Sequence, residues 1–550
     1  MNNTLLLIPL DDRPCCCRFP LRLAELAGFK AELPPAEFWS GEDKRQSDAV
    51  NKHSAELAGW LAGKVIAERP CAAVVCLDCV CYGGLVASRS PGDCAEALEA
   101  WHRLSFAWDT ALKQAEFADN EADVPQLMVF LSVMRAAPFQ RSAAEVEAAV
   151  KLTEFSCRLA SRIADGDGSA ADMSANGEEG IVPWEKAVNI ADCIRSGINP
   201  DFLRRCLEYR RRKHILNRTV LAEWSRKRGD TKRPGLLALG MDDSRTLGLN
   251  VLEAGQLRRL AAERGDAGAF VGAGTDETAC LLMAGAAAGK QIIGAVWSEE
   301  ASRRIVTLYE GAALEEVLRG QALWCNADVL ELAAEEAEKR ANLTQLWIYA
   351  PHIKQNEAAV QKGLPGSCDS GDMEEAALDL WLDNLERSAQ NGARVFLADL
   401  AYANGGSLLL AEKISRRGLW SSLCGFSAWN TAGNALGTAL AWAVFCSARP
   451  WNGNEEWLSR RFMLERVLDD CFYQSQVRGE LSGRLGGNFV ISGQGTAEEL
   501  SAEISCRLQS RFEAIMAADS SFDPEVFPWR KVSVRLPWRR LFEIEISLEK

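Results

Sequence analysis

The apolar positions of the chain fall into short runs that end abruptly in small and acidic residues, and a stretch with helical spacing follows most of them. Continuous apolar runs of this length are typical of strands buried on both faces of a parallel sheet. The predicted strands are Leu5–Leu10, Ala72–Leu77, Gln126–Val133, Gly235–Met241, Ala267–Gly272, Gln291–Trp297, Gln345–Tyr349 and Arg394–Ala398. The predicted helices include Ser54–Ala67, Ser142–Ala164, Pro200–Lys227 and Glu374–Gln390. This alternation predicts an α/β fold with a mainly parallel core.

Eight strands allow two layouts of this core, a barrel-like sheet or two doubly wound lobes that meet near residue 290. After residue 450 the pattern changes: Trp457–Glu480 has helical spacing, and Lys531–Leu536 and Phe542–Ser547 alternate as an antiparallel pair would. We predict an N-terminal β/α domain (1–290), a second β/α region (291–450) and a small C-terminal α+β appendage (451–550). The Gly-, Ser- and Asp-rich segment Asp165–Glu179 predicts a surface loop.

The net charge of the chain limits the classes of partner that it can bind. The 550 residues include 62 Lys and Arg against 76 Asp and Glu, a net charge of −14. Such a field disfavours nucleic acid and anionic membranes as partners, and no apolar run is long enough to span a bilayer. The first apolar run has no basic region before it and is broken by Pro9 and Asp11. It therefore does not resemble an export signal, and we predict a cytoplasmic protein.

Eighteen cysteines raise the question of a metal site. Cys15–Cys17 are adjacent, and Cys76, Cys79 and Cys81 are closely spaced, but there is no second C-x-x-C and the chain has only four histidines. Of these, only His352 directly follows a predicted strand. We interpret the thiols as small core side chains of a protein in a reducing compartment. The sequence thus predicts no metal site and no cofactor.

Acidic side chains follow five of the predicted strands. Ligands of parallel α/β folds bind at the carboxyl ends of the strands, and a buried carboxylate is costly unless it is paired, hydrogen-bonded or acting on a ligand. Helix capping or turns would explain single residues, but not doubled carboxylates accompanied by Arg, Asn and Tyr. The residues at these ends are Asp11, Asp12 and Arg13; Asp78, Tyr82 and Arg89; Asp242, Asp243 and Asn250; Asp276 and Glu277; Asp399 and Asn404.

Paired carboxylates suit two kinds of chemistry. In glycoside hydrolysis one carboxyl group protonates the leaving oxygen and another acts as nucleophile or base. Asp242 and Asp243 are the predicted catalytic pair, with Asp276 or Glu277 as a competing acid. Alternatively, a divalent cation could activate water; its predicted ligands would be Asp11, Asp78, Asp242 and Asp276.

Amide and aromatic side chains gather at a later strand-to-helix junction. Trp429 precedes a small-residue helix on which Asn430 and Asn434 lie one turn apart. Two amides and an indole suit sugar hydroxyls and a sugar ring. The basic run Arg210–Lys213 predicts instead a solvent-facing side of a helix. The predicted substrate-binding residues are Asp11, Asp12, Arg13, Asp78, Tyr82, Arg89, Asn250, Asp399, Asn404, Trp429, Asn430 and Asn434.

Seven separated blocks carry a family resemblance. They are Pro9–Pro14, Tyr82–Arg89, Asp242-Asp243 with Gly248 and Asn250, Gly274–Glu277, Ala398–Gly406, Trp429–Gly437, and Glu465, Arg466, Asp469, Asp470, Tyr473, Gln474 and Arg478. In these blocks the chain resembles a bacterial domain-of-unknown-function family, numbered 4127, over most of its length. The resemblance implies a shared fold and site but no established reaction. Cys15–Cys17 and Cys79–Cys81 depart from the family pattern, which further disfavours a metal role for these thiols.

These patterns together predict a cytoplasmic α/β hydrolase that acts on a polar, carbohydrate (glycoside-type) substrate by carboxylate acid/base catalysis. The expected partner is a small-molecule or carbohydrate substrate, and neither nucleic acid nor a membrane. A divalent-metal-dependent hydrolase or lyase and a non-catalytic protein that binds a small metabolite are the alternatives. The chain contains no dinucleotide fingerprint, no P-loop and no G-x-S-x-G nucleophile elbow.

Overall fold

The computed structural model describes residues 3–40, 50–90, 92–115, 124–137, 143–164, 184, 188–231, 235–265, 268–350, 354–358, 361, 375–451, 453–485, 491, 494–523, 525 and 527–550. Its strands are β1 (Thr4–Ile8), β2 (Lys30–Glu32), β3 (Ala72–Cys76), β4 (Gln126–Val133), β5 (Gly235–Met241), β6 (Ala269–Ala273), β7 (Gln291–Trp297), β8 (Ala327–Glu331), β9 (Thr344–Tyr349), β10 (Asn356–Glu357), β11 (Arg394–Asp399), β12 (Tyr402–Ala403), β13 (Gly425–Ser427), β14 (Lys531–Arg535) and β15 (Glu545–Glu549).

The helices lie mostly between consecutive strands, as the α/β pattern predicts. They are α1 (Arg18–Leu26), α2 (Val50–Glu68), α3 (Leu77–Tyr82), α4 (Cys94–Gln114), α5 (Ala143–Ala164), α6 (Ile190–Arg195), α7 (Pro200–Thr231), α8 (Leu249–Glu263), α9 (Thr278–Ala288), α10 (Leu314–Trp324), α11 (Ala334–Ala337), α12 (Glu375–Gln390), α13 (Leu408–Arg416), α14 (Ala432–Ser447), α15 (Gly453–Arg466), α16 (Arg478–Leu485) and α17 (Gln494–Ala518). A π-helix, Val467–Val477, joins α15 to α16.

The first sheet contains six strands in the order β2-β1-β3-β4-β5-β6. Every pairing in it is parallel; Leu5 of β1 lies opposite Ala72 of β3, for example. All five residues of β1 and of β3 are buried, which explains why their sequences are continuous apolar runs. The order 2-1-3-4-5 is one of the two common doubly wound orders, and its binding crevice lies beyond the carboxyl ends of the first and third strands.

The second sheet contains five parallel strands in the order β13-β11-β9-β7-β8. When its strands are counted from β7 along the chain, this order is again 2-1-3-4-5. The strands of the α/β core therefore divide between two doubly wound sheets and do not form one barrel. The uniformly apolar helix α14 is buried along nearly its whole length and packs on β9, β11 and β13.

The chain divides into two compact units. Unit 1 contains Met1–Asp12, Phe29–Ala287 and Tyr309–Gly311, and it includes the first sheet. Unit 2 contains Arg13–Gly28, Ala288–Leu308 and Ala312–Lys550, and it includes the second sheet and the C-terminal elements. In unit 1 the core includes an apolar cluster between α5, α7 and α8, to which Leu152, Phe155 and Leu203 contribute.

All eight predicted strands and the four named helices are confirmed, with bounds that shift by a few residues. The predicted antiparallel pair is also confirmed, as β14 with β15. The edge strands β2, β8 and β13 were missed. The predicted loop Asp165–Glu179 and His352 lie outside the described residues. Across the part of the chain that the structure describes, no helix is long and apolar enough to cross a membrane.

Candidate functional site

The predicted site residues are distributed over both units. Unit 1 holds Asp11 and Asp12 after β1, Asp78 and Tyr82 in α3, Arg89 beyond α3, Asp242 and Asp243 after β5, Asn250 in α8, and Asp276 and Glu277 after β6. Unit 2 holds Arg13, Asp399, Asn404, Trp429, Asn430 and Asn434. Within each unit, the parallel strands bring several of these side chains together at their carboxyl ends, as the predicted topology requires.

The crevice of unit 1 begins with a close approach between the β1 and β3 loops. Gly84 has a φ of 128°, and a Cβ atom there would lie 3.1 Å from the carbonyl oxygen of Leu10. Only glycine fits such a position without strain. Asp11 is buried, and Asp12 accepts a hydrogen bond of 2.9 Å from the Ser40 hydroxyl. The glycine pair of the β3 loop therefore allows the two strand ends to meet.

Asp78 lies at the centre of a fully buried polar cluster in unit 1. Its carboxylate is ion-paired with Lys213 of α7 and accepts hydrogen bonds from the backbone N–H and the hydroxyl of Ser132, at 2.9 and 2.5 Å. Burial lowers the pKa of Lys213 to about 7, whereas the negative charge of Asp242 raises it. The Asp78 carboxylate favours the charged lysine in the same way. Asn217 completes the cluster by donating to the carbonyl oxygen of Ser132.

Three of the four residues of the basic run in α7 are buried and Arg211 is exposed, so the predicted solvent-facing role was wrong for the other three. Arg210, Arg212 and Lys213 are each at most 7% exposed. Arg212 and Lys213 lie against the ring of Tyr82, at 4.5 and 5.1 Å from its centre. The run provides positive charge at strand ends that carry carboxylates. The local sequence gave no sign of the contacts of Arg212 and Lys213, because Tyr82 and Asp78 are more than 100 residues away along the chain.

Asp242 and Asp243 have different surroundings although they are adjacent. Asp242 is buried and ion-paired with Arg89, and its other carboxylate oxygen accepts a hydrogen bond of 3.0 Å from the backbone N–H of Asp243. Asp243 is ion-paired with Arg135, and its side chain is 31% exposed. Asn250 donates weakly, at 3.4 Å, to the carbonyl oxygens of both. Asp242 is thus held within the fold, while Asp243 remains accessible.

A second layer of charge positions Arg135. Arg210 donates to the carbonyl oxygens of Met134 and Arg135, at 2.8 and 2.5 Å, and to Glu253 at 2.7 Å. Burial raises the pKa of Glu253, and the charge of Arg210 opposes that shift. Trp184 donates to the other oxygen of the same carboxylate at 2.8 Å. These contacts fix the backbone that carries Arg135, and so fix the partner of Asp243.

A cavity of about 310 Å³ lies at the carboxyl ends of β4 and β5, and Asp243 lines it. Arg135, Arg245 and Asn250 are among its other polar residues, and Val146, Ala149 and Val150 of α5 form an apolar wall. Asp276 and Glu277 do not line this cavity. Both are buried, and Glu277 accepts a hydrogen bond of 3.2 Å from the backbone N–H of Thr275 in the β6 loop, which the N–H of Gly274 ties to the carbonyl oxygen of Met241.

Unit 2 has its own strand-end network. Asp399 at the end of β11 accepts hydrogen bonds from the backbone N–H groups of Ala401 and Ser407, at 3.1 and 2.6 Å. Asp470 of the π-helix accepts from the backbone N–H of Ala428, at 2.8 Å, and from Arg466. These carboxylates hold the strand-end loops to the π-helix. The π-helix is long for its type, and such segments occur frequently at functional sites.

Asp469 and Asp470 share the guanidinium of Arg466, at 2.9 and 3.0 Å. Burial raises the pKa of both carboxyl groups, that of Asp470 to about 7, because one buried cation does not compensate for two buried anions. Both residues belong to the last of the seven sequence blocks that carry the family resemblance, yet neither was predicted as a site residue. They lie on a helix, whereas the predicted site residues were chosen because they follow strands.

The amide pairs of unit 2 meet as predicted. Asn430 donates to the side-chain oxygen of Asn434 at 2.7 Å, and Asn434 forms a capping box with Thr431 at the start of α14. Asn404 donates to the Glu357 carboxylate at 2.7 Å, and its backbone N–H donates to the carbonyl oxygen of Asn430 at 2.6 Å. These contacts fix the positions of the amides.

The structure offers little support for the four carboxylates proposed as ligands of a divalent cation. Within the described ranges, no group of three or more His, Cys, Asp or Glu side chains is arranged to hold a metal ion. Two of the four proposed ligands, Asp78 and Asp242, are instead paired with Lys213 and Arg89. Cys76, Cys446 and Cys471 are buried and form no disulfide.

Fold and site together define a class: an α/β protein with two doubly wound sheets, each of which gathers charged and amide side chains at the carboxyl ends of its strands. The chain belongs to the family described as Protein of unknown function (DUF4127), whose model matches residues 5–547. No curated protein and no solved structure matches the chain.

Proposed function

We propose that the protein is a cytoplasmic hydrolase that acts on a polar, carbohydrate-type substrate by carboxylate acid/base catalysis. The observation that carries this proposal is the position of Asp243. It lines a cavity at the carboxyl ends of two parallel strands, beside a guanidinium and an amide. An accessible carboxylate in such a cavity suits the work of a nucleophile or general base.

The proposed roles differ from a symmetric carboxylate pair. Asp243 attacks the substrate or takes a proton from water, because its carboxylate is accessible and is held in position by Arg135. Asp242 orients Asp243 by accepting from its backbone N–H while Arg89 holds it in place. Asp276 or Glu277 is the proposed competing acid: both follow β6, the neighbour of β5 in the sheet, but neither lines the cavity of Asp243.

The buried thiols Cys76, Cys446 and Cys471 form no disulfide, which agrees with a reducing compartment, and we therefore place the hydrolase in the cytoplasm. The divalent-metal alternative has less support, because two of its proposed ligands already have cationic side chains as partners. A binding protein without turnover is favoured by one observation: three strand-end carboxylates are neutralised by Lys213, Arg89 and Arg135.

A panel of aryl glycosides, assayed with and without a chelator, tests the proposal. We expect at least one member to be hydrolysed, and Asp243→Asn to lower kcat at least about 100-fold, as the loss of a general base or nucleophile does. The matched control is Asp192→Asn, a half-buried acid of unit 1 that pairs with Arg162 and Arg195 and does not line the cavity. Full turnover in Asp243→Asn would refute the assignment, and sensitivity to the chelator would favour the metal-dependent alternative.

A further inference from the structure

Arg478 of unit 2 is a buried cation without a carboxylate partner. It is 8% exposed, and its Nη1 atom is buried without a hydrogen-bond partner. Its Nη2 atom lies 3.5 Å from the carbonyl oxygen of Asn404, the long limit of a hydrogen bond. Among the residues that the structure describes, no carboxylate lies within ion-pairing distance of this guanidinium. Arg466, which is three turns earlier along the same helical stretch, has two.

This difference matters because an unpaired buried charge is expensive. Removing a guanidinium from water costs several kcal/mol unless a paired anion or a full set of hydrogen bonds replaces the water. Burial lowers the pKa of Arg478, which reflects the same penalty, and the charges of Glu357, Asp469 and Glu543 only partly oppose this shift. Arg466 is compensated by Asp469 and Asp470, whereas Arg478 keeps an unused donor. An anion supplied from outside the chain would complete its surroundings.

The groups around Arg478 suit a hydroxylated ligand. Asn404 and Asn430 both have left-handed backbone conformations, with φ of 59° and 63°, and their amides are fixed by Glu357 and Asn434. Fixed amides and a carboxylate can donate to and accept from hydroxyl groups with little loss of side-chain entropy.

Aromatic rings complete these surroundings. The guanidinium of Arg478 lies 5.0 Å from the ring centre of Phe542, and that ring in turn contacts Trp429 edge to face, with centres 6.2 Å apart. Aromatic faces of this kind pack against the apolar face of a sugar ring. Charge, amides and aromatic surface thus lie together within unit 2.

We propose that Arg478, with Asn404, Asn430 and Trp429, forms a binding site for a small hydroxylated molecule that carries an oxyanion, either a carboxylate or a phosphate. Arg478 donates to the oxyanion from its free Nη1 atom, the amides hold hydroxyl groups and Trp429 supports the ring. A bidentate guanidinium is the side chain best matched to either oxyanion. This site belongs to unit 2 and does not depend on the hydrolase activity proposed for unit 1.

Isothermal titration calorimetry on the full chain tests the site with four probes: D-glucuronate, D-glucose 6-phosphate, D-glucose and inorganic phosphate. We expect one of the two sugar anions to bind at least about 10-fold more tightly than D-glucose and inorganic phosphate, because only it supplies both the charge and the hydroxyl groups. The first two probes distinguish a carboxylate ligand from a phosphate ligand. Absence of binding by both sugar anions, or equal affinity for D-glucose, would overturn the proposal.

Arg478→Gln is expected to weaken binding of the preferred sugar anion by about 10- to 100-fold, the usual effect of losing a charge-assisted hydrogen bond. Arg484→Gln is the matched control and should bind normally; Arg484 is exposed, lies six residues later on the same helix and pairs with Glu503. Unaltered affinity in Arg478→Gln would overturn the proposal.

The stability of the variants separates a binding role from a structural one. If Arg478 serves a ligand, replacing this unpaired buried charge leaves the melting temperature without ligand unchanged or raises it, and the wild type alone gains stability on adding the sugar anion. A large fall in melting temperature would indicate a structural role and count against the proposal. Arg478→Lys keeps the charge but lacks the planar, bidentate guanidinium. It should fold and should bind the sugar anion more weakly than the wild type does.

Discussion

Asp469 and Asp470 are adjacent in the sequence and share the guanidinium of Arg466. A sequence pattern treats two such carboxylates alike, but their surroundings in the fold differ. Similar divergence occurs in unit 1, where Asp242 is held by Arg89 while Asp243 lines a cavity. The sequence indicated that such carboxylates would gather at strand ends. It could not assign their roles, because Arg89 is 153 residues from Asp242 along the chain.

The raised pKa of Asp470 leads to a prediction about how stability depends on pH. Its pKa is about 7 in the folded protein and near the ordinary value of 3.8 when unfolded, so the folded state binds more protons between these values. Stability from this group is therefore present at low pH and is lost as the pH rises towards 7. We expect Asp470→Asn to gain stability relative to the wild type across this window, by on the order of 1 to 3 kcal/mol.

Urea denaturation of both proteins at about pH 5 and about pH 8 measures this difference. The sign of the change is the diagnostic result. Asp519→Asn is the comparison variant, since Asp519 is buried in unit 2 but accepts hydrogen bonds from backbone N–H groups at Ser421 and Ser521. A difference between wild type and Asp470→Asn that stays constant from about pH 5 to about pH 8 would contradict a raised pKa for Asp470.

At the scale of elements, the sequence predicted those strands whose side chains are buried on both faces. β3 and β11 are examples, because nearly every position in each is apolar. The edge strands escaped prediction for the same physical reason. β2 (KAE) has no buried residue, β8 (ADVLE) is largely exposed and β13 (GFS) is only three residues long. Their pairing is specified by the neighbouring strand and not by their own pattern.

The contact between the Asp399 loop and the π-helix leads to a second prediction. A Cβ atom on Gly406 would lie 2.5 Å from the Cys471 sulfur and 3.0 Å from both the Ala428 side chain and an Asp399 oxygen. Gly406→Ala should therefore lower the free energy of unfolding by about 1–3 kcal/mol through overpacking. Adding Cys471→Ala should restore part of the loss, because it removes the closest atom.

Gly479→Ala is the natural control for this experiment. Gly479 lies in α16, and a Cβ atom there would meet nothing within 4 Å. Because alanine favours a helix over glycine, this variant should be stabilised by about 0.5–1 kcal/mol. Chemical denaturation of the three variants gives the comparison. Equal stability of Gly406→Ala and the wild type would mean that the loop can move away from the π-helix at no cost.

At the scale of the whole molecule, the cysteines connect composition to environment. Most of those described are buried, and burial raises the pKa of Cys76, Cys446 and Cys471 well above the ordinary value of a thiol. Since the thiolate is the reactive form, these side chains should be inert. Cys506 is exposed and should be the first of the four to react.

Alkylation by iodoacetamide under native conditions, read by peptide mass spectrometry, tests this order. We expect Cys506 to be labelled well before Cys76, Cys446 and Cys471, and Cys506→Ser to leave the melting temperature unchanged. Intact mass without reductant provides the check on redox state. A loss of hydrogen mass at any of these four cysteines would indicate a disulfide and would argue against a reducing compartment.

Unit 2 includes Arg13–Gly28, a segment near the start of the chain, and this determines when helix α1 can pack during synthesis. Helix α1 packs Phe19 on Phe462, and Arg18 bonds Glu465, which lies 447 residues later. At about 5–20 residues per second, a ribosome needs roughly 20 to 90 s to reach that partner. Throughout this time the apolar face of α1 has no partner to pack on. A nascent chain of this protein therefore offers chaperones a hydrophobic target near its beginning until almost the end of its synthesis.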